Sequence, residues 1–222
     1  FQVLYSDTDS CFLLAGSNTK EDVQRFVESV NKKLPGRMEL EFKDLYARGI
    51  FVTKKGSALE RGAKKKYALM DEKGSLTIVG FEYVRRDWCQ LAKKTQKAVL
   101  QHVLSEGRPE KAIELVRRTV EDLKKGRVPV KELAIIKQIR RPLKKYVSIG
   151  PHVAAAQKAV KKGREMGMGS VVSYVITKKG NSISDKAELE EFVHEGNYDA
   201  EYYIKHQIVP AVIYILAEFG LT

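Results

Sequence analysis

Apolar and polar positions at the start of the chain follow the pattern of two short strands joined by a turn. Phe1, Val3 and Tyr5 recur at every second position, and a second apolar run covers residues 11–15. Successive side chains of a strand point to opposite faces, so this alternation is typical of β-structure. The polar residues 6–10 between the two runs predict a hairpin turn.

The next segment predicts a helix and then more sheet. Thr19 and Asp22 stand at the spacing of a helix N-cap and an acidic third position, and apolar residues recur at helical spacing until Pro35 and Gly36. A turn is predicted at residues 71–74, and further strands are predicted at residues 38–42, 47–53, 66–71 and 75–80.

From residue 87 the apolar period becomes helical. Helices are predicted at residues 87–107, 109–126 and 152–164, with a basic extended stretch at 135–149 and a strand at 170–177. A last helix over residues 198–220 contains Pro210, which should kink it. The change of period predicts an α+β fold of two domains, residues 1–86 with antiparallel strands plus a helix and residues 87–222 with mainly helices.

Composition excludes several classes of protein. Hydrophobic residues make up 43% of the 222 residues, which is ordinary for a globular protein. No apolar stretch approaches the roughly 18–20 residues that span a bilayer, so no membrane association is expected. Cys11 and Cys89 stand alone, which indicates neither a zinc site nor a disulfide framework and favours a cytoplasmic setting.

The net charge of +12 is concentrated in the middle of the chain. Residues 51–182 hold 31 basic and 12 acidic residues, whereas residues 183–222 hold 2 and 8. A cationic middle favours nucleic acid as a partner. A lysine-rich solvated surface of a heat-adapted protein explains the same excess, and charge alone leaves both interpretations open.

Asp7 and Asp9 are separated by one residue at the predicted hairpin turn. Two neighbouring carboxylates repel each other unless a cation lies between them, and Mg²⁺ prefers such oxygen ligands. The pair therefore indicates metal-assisted phosphoryl or nucleotidyl transfer. The alternatives are a turn in which Asp7 binds only backbone, and an unrelated Asp-x-Asp metal enzyme such as a sugar-nucleotide transferase.

Ordered motifs along almost the whole chain resemble those of family-B DNA polymerases, most closely the archaeal branch. YSDTDS at residues 5–10 matches motif C of that family's palm domain. Further matches in the family's order are ARGIFVTK, KKKYAL, VRRDWCQLAKKTQ, RRPLKKY, IGPHVA and YDAEYYIKHQIVPAV.

The resemblance implies a role for each carboxylate. Asp9 matches the family's direct ligand of the catalytic metals, and Asp7 matches the auxiliary carboxylate beside it. Two Mg²⁺ ions, shared with an aspartate on a partner chain, would support nucleotidyl transfer from dNTP to a primer. Residues 1–86 would be the C-terminal part of the palm and residues 87–222 the thumb.

The resemblance also implies contacts with primer–template DNA. KKKYAL is similar to the family's KKRYA motif, so Lys65 is expected in the minor groove, with Lys64 and Tyr67 beside the primer strand. Lys66 stands where the family usually has arginine, and the inserted GSALERGA leaves open which lysines face the primer. The residues expected to contact backbone phosphates are Arg85, Arg86, Arg140, Arg141, Lys144, Lys145 and Tyr146.

Several family motifs have no counterpart in this sequence: the other palm aspartate, the fingers helix and the exonuclease motifs. The chain is therefore expected to be inert alone and to act, in the nucleoid, with a large polymerase chain that carries them and, through that complex, with a sliding clamp. A natural split subunit is favoured over an experimental fragment. The alternative function is a non-catalytic duplex-binding accessory protein with a polymerase-like thumb.

Overall fold

The computed structural model describes residues 1–53 and 62–220, and the chain divides into two compact units, Phe1–Val79 and Gly80–Thr222. Both units combine antiparallel strands with helices, which confirms the predicted α+β class. No helix in the described ranges is long and apolar enough to cross a bilayer.

The first unit contains a two-stranded sheet, a helix and a three-stranded antiparallel sheet. Its elements are β1 (Gln2–Asp7), β2 (Ser10–Leu14), α1 (Lys20–Asn31), β3 (Arg48–Thr53), β4 (Gly62–Met70) and β5 (Leu76–Val79). β1 pairs with β2, and β4 lies between β3 and β5. The buried apolar side chains of this unit lie on β3 and β4, and they include Ile50, Val52, Ala68, Leu69 and Met70.

The predicted start of α1 is confirmed in atomic detail. The Thr19 hydroxyl accepts a hydrogen bond from the Asp22 amide, and the Asp22 carboxylate accepts one from the Thr19 amide. This reciprocal pair satisfies two backbone donors that would otherwise have no partner in the helix.

The strand predicted at residues 38–42 is wrong, because the structure has no regular element between α1 and β3. The side-chain amide of Asn31 binds both backbone groups of Leu40, accepting from its N–H at 2.7 Å and donating to its carbonyl at 2.9 Å. An alternating sequence becomes a strand only where another strand supplies these bonds. Here one side chain supplies them instead.

The second unit is richer in helix. Its elements are α2 (Gln90–Glu106), α3 (Glu110–Lys124), α4 (Val130–Leu133), β6 (Ile135–Gln138), α5 (Pro151–Lys161), β7 (Val171–Ile176), α6 (Ile183–Lys186), β8 (Ala187–Leu189), α7 (Ala200–Tyr203) and α8 (Val209–Ala217). Short 3₁₀ turns lie at Glu82–Val84, Leu143–Lys145 and Glu190–Phe192.

A three-stranded antiparallel sheet lies within this helical unit, with β7 between β6 and β8. The sequence indicated β6 and β7 but not β8, whose three residues are too few to show a period. The largest fully buried side chains of the unit include Phe81, Leu100, Leu133, Ile139, Ile176, Tyr203, Ile208 and Ile215. They come from the sheet and the residue after β6, from α2 and α4, from the C-terminal helices and from Phe81 before the first 3₁₀ turn, so sheet and helices share one core.

The last helical segment is irregular just before Pro210, the residue at which the sequence predicts a kink. Residues Ile204–Ile208 form a π-helix between α7 and α8. Proline has no N–H and its ring clashes with the preceding turn, so the regular bond pattern cannot continue through it. The side-chain oxygen of Gln207 in this π-helix accepts a hydrogen bond from the Cys89 amide at the start of α2, at 2.9 Å.

Replacing the buried Tyr203 by phenylalanine should destabilise the second unit by about 1–3 kcal/mol. The Tyr203 hydroxyl accepts a hydrogen bond from the Ile176 amide at 3.0 Å inside the core, and Tyr203→Phe leaves that amide without a partner. Urea unfolding followed by the fluorescence of Trp88, the single tryptophan, measures the change. Tyr83→Phe is the matched control, since the Tyr83 hydroxyl binds none of the described residues. Equal losses in both variants would contradict the assignment.

Candidate active site and nucleic-acid interface

Asp7 and Asp9 lie at the tip of the β1–β2 hairpin. Asp7 pairs with Ser10 in the last register position, which leaves Thr8 and Asp9 as a two-residue turn. One oxygen of Asp7 accepts hydrogen bonds from the Thr8 amide at 2.8 Å and the Thr8 hydroxyl at 3.2 Å. The side chain of Asp7 is only 14% exposed, whereas Asp9 is exposed and forms no hydrogen bond or ion pair with the described residues.

Four aromatic rings hold this hairpin against the β3–β4 pair. Tyr5 lies opposite Phe12 in one pair of strands, and Phe51 lies opposite Tyr67 in the other. The Tyr5 and Phe51 rings stack with centroids 5.2 Å apart, and the Phe12 and Tyr67 rings meet edge to face at 5.1 Å. We call these four residues the ring cluster. Tyr5 and Asp7 are two residues apart in β1, so the cluster also fixes the position of Asp7.

The KKK lysines lie in a bulge of β4. Phe51 pairs with Tyr67 and Thr53 pairs with Gly62, so residues 63–66 of β4 stand opposite Val52 alone. Lys65 has a φ of 56°, in the left-handed region that residues other than glycine rarely adopt. A bulge redirects side chains that a regular strand would alternate between its two faces.

Lys65 is held to β1 at two points. Its backbone amide donates a hydrogen bond to the Tyr5 hydroxyl at 2.8 Å, and its Nζ lies 3.7 Å from Oδ2 of Asp7. The structure therefore brings together the hairpin that carries Asp7 and Asp9 and the lysine-rich strand, two segments that are distant in sequence. The Lys65 side chain remains 64% exposed, so its charge is accessible to a ligand.

The other residues of the lysine-rich motif have different surroundings. Burial raises the pKa of the Tyr67 hydroxyl, and the nearby Tyr5 and Asp7 raise it further, so this tyrosine stays neutral and able to donate a hydrogen bond. Lys66 is half-buried. The backbone of Lys64 lies in β4, but its side chain is outside the described part of the chain, as is most of the inserted GSALERGA segment.

In the second unit, the predicted phosphate-contacting residues fall into separate groups. Arg86, Arg140, Arg141 and Tyr146 line one cavity of about 680 Å³. Lys144 and Lys145 are exposed on the adjoining 3₁₀ turn and do not line the cavity.

Arg85 is engaged with a neighbouring carboxylate. Its guanidinium donates two hydrogen bonds to Asp87, at 2.9 and 3.1 Å. Burial alone would raise the pKa of Asp87, but Arg85 and the charge of Lys137 outweigh burial and hold this pKa below its usual range. Arg85 therefore neutralises Asp87, which also lines the cavity, and leaves the other cations there available.

Sequence reasoning missed the residues that position the site. Tyr5 carried a signal, since it stands two residues before Asp7 on the same strand face, whereas Phe12 and Phe51 carried none beyond strand patterning. Lys137 and His152 also line the cavity of the second unit, and they come from β6 and α5. Only the packing of distant segments brings such residues together.

The Asp7–Asp9 pair fits part of a Mg²⁺ site. Both residues offer hard carboxylate oxygens, and the exposed Asp9 is open to a cation. Among residues 1–53 and 62–220, however, no cluster of three or more histidine, cysteine, aspartate or glutamate residues could hold a metal ion by itself. The pair can therefore supply two ligands and needs others to complete a site.

A family model for DNA polymerase family B matches residues 1–219. The chain belongs to DNA polymerase family B. This membership agrees with the resemblance inferred from the ordered motifs and with the α+β fold.

Relatives in this family are similar over the whole chain. The chain is 43% identical to a DNA polymerase of Pyrococcus glycovorans and to one of Thermococcus kodakarensis, in each case over 99% of its length. The structure of the family B DNA polymerase from Pyrobaculum calidifontis covers 100% of the chain with a TM-score of 0.75 and 31% identity. The chain spans 28% and 13% of the two curated relatives and 27% of that structure.

Removing the Tyr5 hydroxyl should loosen the backbone of β4 at Lys65. In Tyr5→Phe the ring cluster keeps its rings, but the Lys65 amide loses its acceptor at a strained backbone position. We expect its hydrogen exchange, measured by NMR, to accelerate by about tenfold or more, since about 1.4 kcal/mol corresponds to tenfold. Tyr46→Phe in the same unit is the control, because its hydroxyl binds no described residue. Unchanged exchange of the Lys65 amide in Tyr5→Phe would show that the Tyr5 hydroxyl does not hold Lys65 to β1.

Proposed function

We propose that this chain is the part of a DNA-directed DNA polymerase that supplies motif C and grips the primer–template duplex. The observation that carries the proposal is that Lys65 contacts β1 twice, through the Tyr5 hydroxyl and through the Asp7 carboxylate. The Asp7 carboxylate lies beside the Lys65 amine, and this proximity supports a site that joins a metal ligand to a primer contact. Family membership and relatives named DNA polymerase support the same conclusion.

In this proposal the two carboxylates have different tasks. The exposed Asp9 is the principal metal ligand, and the half-buried Asp7 is the auxiliary carboxylate whose position is fixed by Thr8 and Lys65. Asp9 and Asp7 would hold Mg²⁺, which when bound would supply activation of the primer 3′-hydroxyl and neutralisation of charge on the triphosphate, with two ions in the complete site. A further aspartate from the rest of the polymerase completes the ligand set.

In this proposal the bulge of β4 lies at the primer end of the duplex. Lys65 is exposed and directed by its two contacts with β1, so it can reach minor-groove acceptors, which look much alike for every base pair. Lys64, Lys66 and Tyr67 act beside it along the primer strand. Contacts of this kind test the geometry of a base pair without reading its identity.

The cations of the second unit bind the duplex backbone. Arg86, Arg140, Arg141 and Tyr146 meet at one cavity, and Lys144 and Lys145 extend the basic surface around it. Arg85, which is paired with Asp87, contributes by neutralising that carboxylate beside the duplex. Phosphate contacts from such residues are independent of sequence and weaken with salt. This is the behaviour expected of a thumb that holds any product duplex.

The wider organisation follows from the same proposal. Residues 1–86 form the C-terminal part of the palm and residues 87–222 form the thumb. The rest of the polymerase contributes fingers, exonuclease and the remaining palm, and it reaches a sliding clamp in the nucleoid. The expectation that a separate large chain supplies these parts stays a prediction, which mixing this chain with a chain that carries the missing motifs would test.

Asp9→Ala should abolish primer extension by the assembled polymerase that contains this chain. Loss of a direct ligand removes several kcal/mol of charge stabilisation, so we expect at least about 10³-fold slower incorporation of dNTP. The measurement is single-turnover extension of a labelled primer at saturating Mg²⁺.

Glu72→Ala is the matched control for this variant. Glu72 is an exposed carboxylate on the β4–β5 turn of the same unit, and its loss should leave the extension rate unchanged. Wild-type extension by Asp9→Ala would contradict the proposal. Duplex binding with no extension by any assembly would favour a non-catalytic accessory protein instead.

Arg141→Ala should weaken duplex binding to a similar extent for every DNA sequence. Losing one phosphate contact should also reduce the slope of log K against log salt by about 1. Fluorescence anisotropy with two unrelated duplexes, each at several salt concentrations, measures both effects. Arg118→Ala is the control, since Arg118 is an exposed residue of α3 paired with Glu114. A salt slope that is equal in wild type and Arg141→Ala would exclude the contact.

A further inference from the structure

The cavity of the second unit has an uneven distribution of charge. Its lining includes four cationic side chains, Arg86, Lys137, Arg140 and Arg141, and the carboxylate of Asp87. Arg85 already forms hydrogen bonds with Asp87 from outside the lining. The cavity is therefore built to receive an anionic group.

One neutral titratable group, His152 in the first turn of α5, lines the same cavity. Its ring meets the Tyr146 ring edge to face, with centroids 6.3 Å apart at 89°. A Cβ added at Gly150 would lie 3.4 Å from the imidazole, so the ring packs closely over this glycine. The Tyr146 hydroxyl accepts a hydrogen bond from the Arg140 amide at 2.9 Å. Tyr146 therefore connects the His152 ring to the backbone at Arg140.

The imidazole has an unmet bonding capacity. Its Nδ1 is buried and has no hydrogen-bond partner among the described residues. Burial lowers the pKa of His152, and the charge of Lys137 lowers it further, so the ring is neutral near pH 7. Buried polar atoms without partners are rare in folded proteins, and a bound ligand is one explanation for them.

Among the described residues, the elements that pack against α5 offer His152 no carboxylate without a partner, and β7 carries no carboxylate at all. On α6, Asp185 accepts hydrogen bonds from Ser182, and Lys186 pairs with Asp199. On β8, Glu188 pairs with Lys158 and Lys162 of the α5 region. The charged or titratable groups that line the cavity with His152 are the four cations, Asp87 and Tyr146. An anion that enters the cavity would therefore strongly change the electrostatic environment of His152.

We propose that one backbone phosphate of a bound duplex occupies this cavity between Lys137 and His152, and that its charge draws a proton from solvent onto the imidazole. This inference rests on the proposed function for the source of the phosphate. A negative charge beside His152 offsets the repulsion from Lys137 and favours the imidazolium form, which donates a charge-assisted hydrogen bond.

The expected linkage has a definite sign. Without DNA, His152 is neutral at all pH values above its lowered pKa. With a phosphate beside it, its pKa is higher, so binding takes up a proton in the pH interval between the two values. Duplex affinity should therefore rise as pH falls through this interval, by about 3–10-fold between pH 8 and pH 6, since one pKa unit corresponds to tenfold. DNA phosphodiesters do not titrate in this range.

NMR titration of the His152 ring in the whole chain tests the proposal directly. Spectra are recorded between pH 5 and pH 8.5 at constant ionic strength, alone, with a duplex of about 16 base pairs, and with sulfate. We expect the duplex to move the titration midpoint of His152 to higher pH and to leave that of His206 in place. An unchanged midpoint for His152 with bound duplex overturns the proposal. A shift caused by sulfate but not by the duplex assigns the cavity to a free anion and also overturns it.

Measurements of duplex affinity in two variants provide a second test of the proposal. His152→Gln should retain duplex binding at pH 8 and lose the increase at pH 6, whereas His206→Gln should keep the wild-type pH dependence. Wild-type pH dependence in His152→Gln would contradict the proposal. The NMR arm needs no variant, so poor folding of His152→Gln leaves the test intact. Primer extension with Asp9→Ala tests the proposed function separately, because this titration does not depend on catalysis.

Discussion

The packing of four aromatic rings between two hairpins is the interaction on which the candidate active site depends. The rings belong to Tyr5, Phe12, Phe51 and Tyr67. Aromatic pairs contribute about 0.5–1.5 kcal/mol each beyond the burial of their area, and a left-handed backbone at a residue other than glycine costs about 1–2 kcal/mol. The stacking free energy of the ring cluster is thus comparable to the cost of the left-handed backbone at Lys65. Because the rings fix the Tyr5 hydroxyl beside β4, the Lys65 amine also lies near Asp7.

Local sequence patterns predicted the elements whose bonds are local. The first hairpin, the capping box of α1, strands β3 to β5 and the long helices α2 and α3 follow from alternation, helical period and caps. The strand predicted at residues 38–42 failed because strand formation depends on a distant partner, and Asn31 takes that place. The short β8 was missed for a related reason, since only its pairing with β7 defines it.

The same distinction applies to the candidate sites. Asp7, Asp9 and the lysines of β4 were predicted because their motifs are contiguous in sequence. The motif matches also predicted Arg86, Arg140 and Arg141 as phosphate contacts, but no sequence pattern groups them with Lys137 and His152. Those two residues reach the cavity from a strand and from a helix, so only tertiary packing defines their proximity. Part of the positive charge evident in composition thus lies in the bulge of one unit, and another part lines the cavity of the other.

The bulge in β4 has a consequence for how this region accommodates changes in chain length. In a regular strand, one extra residue would turn every following side chain to the opposite face. Here the pairing of Tyr67 with Phe51 on one side and with Val79 on the other is already set independently of the spacing back to Gly62. Extra or missing residues between Gly62 and Tyr67 can be absorbed within the bulge without shifting the pairing of Tyr67. The length of the bulge can therefore change while Tyr67 keeps its place among the rings.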